Sequence, residues 1–117
     1  MATHALNPKE QRTEERKTLR CAATITSAKT APLLGRTVDI SLHGVSIMLP
    51  KPMNVGEQFT VSFDTMTGNK IHAVKASARV TYCICVGTSG FRSGFQFAQL
   101  DEKSIKIIKD LMQPAWM

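Results

Sequence analysis

From Cys21 to Leu100 the chain alternates between apolar and polar positions in short runs rich in β-branched and aromatic residues, and glycine, proline or asparagine breaks each run. That texture predicts six strands, near 21–28, 34–41, 45–49, 57–64, 70–83 and 91–99. The breaks carry turn chemistry: Ala31-Pro32, Pro50 to Pro52, Asn54 to Gly56, Thr67-Gly68-Asn69 and Gly87 to Gly90. Val61 and Phe63 alternate with Thr60, Ser62 and Asp64, while Phe91, Phe95 and Phe97 stand at even separations, so each run is expected to bury one face. Several short strands at close spacing imply antiparallel hairpins gathered into a barrel or sandwich.

After Leu100 the period lengthens. Ile105, Ile108, Leu111 and Met112 recur at helical spacing opposite Lys103, Lys106 and Lys109, which predicts an amphipathic helix. Asp101 is placed to cap its start and Pro114 lies just past its end. The apolar stripe should close one end of the barrel or meet a partner. Before Cys21, from Met1 to about Leu19, Lys9, Glu10, Arg12, Glu14, Glu15, Arg16 and Lys17 mix without apolar periodicity, which reads as an arm that is mobile without a partner. The expected division is an arginine-bearing arm at 1–19, a barrel at 20–100, and a helix and tail at 101–117.

With 117 residues there is room for one core, and 43% hydrophobic with 21% charged residues suits a soluble domain. No apolar run approaches the roughly 20 residues that span a bilayer, and no secretory h-region is seen, so a cytoplasmic location is expected. Cys21, Cys83 and Cys85 form no CxxC pair; Cys83 and Cys85, two apart on a strand, are expected to pack on one face. His4, His43 and His72 match no metal-site spacing, and no metal is assigned. The formal charge of +6 favours polyanionic partners without choosing among them.

Two short patterns change that. Arg12 to Arg16 and Arg16 to Arg20 are overlapping RxxxR spacings in the arm, and Asp39-Ile-Ser41-Leu-His-Gly44 has the form DxSxxG. An arginine fork can pair bidentately with phosphate or with the O6 and N7 edge of guanine. Asp39 and Ser41, two apart on a strand, share a face where the carboxylate can accept from guanine N1 and N2 and the hydroxyl can serve a phosphate or base. Gly44 permits a tight turn and close backbone approach.

In this order, followed by the strand Val45 to Leu49, by Gly94-Phe-Gln-Phe97 and by a terminal helix, the motifs resemble the PilZ domain, over roughly residues 10–113. The resemblance implies a six-stranded antiparallel split β-barrel with a C-terminal amphipathic α-helix, all-β apart from that helix, which binds cyclic di-GMP. It implies that Asp39, Ser41 and Gly44 line the barrel surface while the arginines fold over the dinucleotide. Arg16 fits either frame, with Arg12 or with Arg20; its distance from Asp39 favours Arg12 and Arg16. Many relatives carry adjacent arginines at the motif's start, where this chain has Gln11, and Lys17 follows Arg16, a departure that bears on how many ligands bind.

A narrower resemblance, to the PilZ module at the cytoplasmic C-terminus of bacterial cellulose synthase catalytic subunits, implies a membrane glycosyltransferase as the regulated domain, with no catalytic role for this chain. The expected switch is the arm ordering on ligand and a partner reading the changed surface. The alternative is a PilZ-like adaptor that binds a protein without nucleotide. Single-stranded nucleic acid is disfavoured, because aromatics are 6% of residues and mostly read as core. No nucleophile and base pair, carboxylate pair or phosphate-cradling glycine loop points to an enzyme.

Overall fold

The computed structural model describes residues 15–113. Its elements are β1 (Lys17–Thr18), β2 (Ala22–Ser27), β3 (Thr30–Ile40), β4 (Gly44–Leu49), β5 (Gln58–Thr67), β6 (Lys70–Cys85), β7 (Phe91–Leu100) and α1 (Glu102–Met112). The strands run in the order β3, β2, β5, β6, β7, β4, and β4 pairs back onto β3. The result is a closed six-stranded antiparallel barrel, the architecture the family resemblance implied, and β1, in the segment read as a mobile arm, lies outside it on β3.

Local chemistry explains the joints. β5 and β6 meet through the two-residue loop Gly68-Asn69, with Thr67 opposite Lys70, and Gly68 takes the positive φ that such a loop requires. In β5, Phe59, Val61 and Phe63 point inward while their neighbours face out. Together with Ile25, Ile47 and Phe95 they form the barrel core.

Four sequence expectations need correction. Ala31-Pro32, read as a turn before a strand at 34, lies inside β3, and the turn falls at Ala28-Lys29. In α1 the buried apolar residues are Ile107, Ile108 and Met112, whereas Ile105 is exposed and Leu111 only partly covered. The helix packs mainly along β6, with Ser104 as its one buried polar residue, so the buried stripe is rotated toward Ile107; it joins the barrel core. Phe91 and Phe97 are half-buried beside the fully buried Phe95: Phe97 packs against the core from its edge, and Phe91 opens β7 opposite the exposed Cys85. Cys85 is exposed near the tip of the β6–β7 hairpin, and Cys83 is half-buried, its Sγ accepting from the Met53 N–H at 3.3 Å.

Two β-bulges position the site. Thr37 faces Ile47 and Asp39 faces Ser46, so Val38 is an extra residue in β3. Strict alternation from the buried Thr37 would send Asp39 inward; the bulge turns it out and leaves Ile40 buried. Thr81 is likewise extra in β6, between Val80, opposite Phe95, and Tyr82, opposite Gly94. Asp39, Ser46, Gly94 and Tyr82 thus form one row across β3, β4, β7 and β6.

Candidate functional site

Asp39 anchors the row. Its Oδ1 accepts from the Ser46 hydroxyl at 2.8 Å and from Arg16 Nη1 at 3.2 Å, and its Oδ2 accepts from Arg92 Nη2 at 2.9 Å. The Asp39 side chain is 17% exposed, against 45% for Arg16 and 39% for Arg92. A carboxylate this covered needs hydrogen-bonding cations around it, and among the described residues it has two.

Backbone pairing brings Arg16 there. Lys17 and Thr18 pair with Ile40 and Asp39, and the Leu19 N–H donates to the Val38 carbonyl. Leu19 also packs against the core, and the Lys17 ammonium donates to the carbonyl of Gln113 just past the helix. The end of the arm therefore runs along β3. Arg12 lies outside the described residues. Arg20 is exposed between β1 and β2 and makes no hydrogen bond or ion pair among the described residues.

Ser41 stands apart from Asp39. The chain turns after Ile40, so Ser41 is fully buried; its Oγ accepts the N–H groups of His43 and Gly44, both at 3.2 Å, and its N–H donates to the Gly44 carbonyl at 2.9 Å. The hydroxyl shapes the loop from inside instead of standing beside Asp39 on a strand face. Gly44 opens β4 without a positive φ, and what demands glycine there is proximity: an added Cβ would overlap the Phe95 carbonyl oxygen. The Phe97 N–H donates to the His43 carbonyl at 2.8 Å, tying the loop to β7.

Around this loop lies a cleft of about 600 Å³ lined by Arg16, Ser41, His43, Gly44, Tyr82, Gly94 and Gln96 among others. That volume lies in the range of about 300–1,000 Å³ usual for small-molecule sites. Tyr82 is half-buried and its ring lies against Gly94, where any Cβ would strike it. Arg92, Ser46, Tyr82 and Gln96 were missed by motif reading. Arg92 and Ser46 sit on strands whose alternation was legible, but their convergence on Asp39 depends on cross-strand register.

Among the described residues no cluster of three or more His, Cys, Asp or Glu could hold a metal ion, and no helix is long and apolar enough to cross a membrane.

A closed barrel with a helix on its core and an arginine-flanked carboxylate beside a cleft on its outer wall is the form of a small ligand-receptor domain. The chain belongs to the PilZ domain family, matching it over residues 10–113, a family of regulatory binding domains. Three solved structures share the fold. The inhibitor of motility MotI/DgrA of Bacillus subtilis superposes with TM-score 0.71 at 13% identity, covering 83% of this chain and 47% of that one. The PilZ domain of YcgR from Escherichia coli, with c-di-GMP, gives 0.66 at 16% identity, over 87% and 88%. The PilZ domain of CeSA from a cellulose-synthesizing bacterium gives 0.55 at 16% identity, over 83% and 93%. The chain thus spans about half the length of the Bacillus protein. Curated protein sequences contain no match.

Proposed function

We propose that this domain binds cyclic di-GMP in the cleft beside Asp39 and passes the binding event to a partner protein or domain. The observation that carries the reading is the Arg16–Asp39 contact at 3.2 Å, which joins the two sequence motifs at one point on the barrel wall. Asp39 offers an acceptor for guanine N1 and N2, the arginines of the arm offer cations for phosphate, and the Tyr82 ring offers a face for a base. Ser41 and Gly44 shape the loop that forms the cleft edge. Arg12 and Arg16 are the pair we assign to the ligand, with Arg20 as the other candidate. Ligand fixes the arm against the barrel, and the resulting surface is what the partner reads.

Net micromolar binding requires about 8 kcal/mol. Charge-assisted hydrogen bonds contribute roughly 1.5–3 kcal/mol each, so three to five of them reach that value only if few residues must be ordered. The pairing of β1 with β3 reduces that cost, because the segment after Arg16 is already held. Isothermal titration of cyclic di-GMP should show Arg16→Ala and Asp39→Ala each binding at least about tenfold more weakly, the loss of one charge-assisted bond. Unchanged affinity in both variants removes the assignment.

A membrane glycosyltransferase of cellulose synthesis is one partner to test, the reading of the narrower resemblance, and the PilZ domain of CeSA shares the fold. Grafting this domain in place of a synthase's own PilZ domain should retain nucleotide-stimulated glucan synthesis in membranes; constitutive or absent synthesis excludes that partner. A second reading, an adaptor that binds protein without nucleotide, is favoured by one observation: both oxygens of Asp39 already accept from protein donors. Calorimetry without any heat of nucleotide binding would select it.

A further inference from the structure

The two cations on Asp39 differ in how they are held. Arg16 precedes the two-residue strand β1, which among the described residues pairs only with β3. Arg92 lies inside β7, paired with Met48 of β4 on one side and Ile84 of β6 on the other. Its Nη2 reaches Asp39 Oδ2 at 2.9 Å and the Ser46 hydroxyl at 3.5 Å, and its buried Nε has no hydrogen-bond partner among the described residues.

We infer that Arg92 is a positioning residue of the ligand site, acting through Asp39: it fixes Oδ2 and leaves Oδ1 as an exchangeable acceptor for Arg16 or for a ligand N–H. Stripping a covered carboxylate of its only cation is strongly unfavourable. With Arg92 in place, Arg16 can leave Oδ1 for a phosphate while Asp39 stays paired and Ser46 keeps its orientation. Without Arg92, Arg16 is the sole counter-ion among the described residues, and ligand must break that pair outright. This inference rests on the cyclic di-GMP reading of the cleft.

The test titrates cyclic di-GMP into the full chain and its R92M, R92K, D39N and D39N/R92M variants by NMR, which follows binding into the millimolar range, with the melting temperature of each recorded. R92M is expected to lower the melting temperature yet stay folded at the titration temperature and bind about tenfold more weakly, R92K to recover part of the loss, and R92M to cost less than about twofold in the D39N background, since residues acting through one contact are not additive. Independently of ligand, the carboxyl carbon signal of Asp39 should shift in R92M while core signals such as those of Val61 stay. An R92M chain that binds like the unmodified one, an equal loss with and without Asp39, or an unmoved Asp39 signal overturns the inference and leaves the binding reading intact. No binding by the unmodified chain overturns that reading and this inference with it.

Discussion

A methyl group at Gly44 would overlap the Phe95 carbonyl oxygen, an atom the strand ladder holds in place, so β4 and β7 would have to part. Gly44→Ala is therefore expected to destabilise the barrel by about 1–3 kcal/mol, read by urea unfolding, the usual range for overpacking. At Gly94 the added methyl meets the Tyr82 ring, a side chain that can swing aside. Gly94→Ala should move the urea midpoint less than Gly44→Ala does while weakening nucleotide binding in the cleft that Tyr82 lines; a larger stability loss at Gly94 would show that the ring is fixed. The motif glycine was legible in the sequence, and so was one reason for it, the close backbone approach. Asp39 was legible as a candidate, but its direction was not, because parity along β3 assigns it to the buried side and only the bulge at Val38 turns it outward.

On the scale of single elements, the terminal helix was predicted to start at Asp101, and there the Asp101 carboxylate accepts from the Ser104 N–H at 2.7 Å. The bond to the Ser104 backbone lowers the Asp101 pKa below its ordinary value of 3.8, with the Ser104 side chain and Lys103 adding to it. A depressed carboxylate contributes stability above its unfolded pKa and loses it as pH falls through its folded pKa. Asp101→Ala should thus lower the melting temperature at neutral pH, and the gap between variant and parent should close below about pH 3.8; a gap independent of pH would show that the charged cap is not its source. Ile108 is 1% exposed, and Ile108→Ala is expected to cost about 2–5 kcal/mol in thermal unfolding, as for buried aliphatics elsewhere. Helical spacing identified Ile108 and Met112 of the buried stripe, with Leu111 partly covered, but took Ile105 in place of Ile107, because spacing alone does not say which strand the helix lies along.

Taken as a whole molecule, a receptor that binds only when folded must be stabilised by its ligand. Cyclic di-GMP at about a hundred times its dissociation constant should add about 2.7 kcal/mol of stability and raise the melting temperature accordingly. A melting curve indifferent to the nucleotide would contradict binding to the native state. By itself the sequence determined the six barrel strands, most of their turns, the helix and its cap, and the two motifs, because alternation, turn chemistry and motif spacing are local properties of neighbouring residues; Ala31-Pro32, read as a turn, instead continues β3. Tertiary structure alone decided which side chains meet: that Ser41 turns inward, that Arg92 reaches Asp39 over Ser46, and that Tyr82 lies over Gly94. These depend on bulges and on register between strands far apart in the chain, where one extra residue reverses the face of every side chain beyond it.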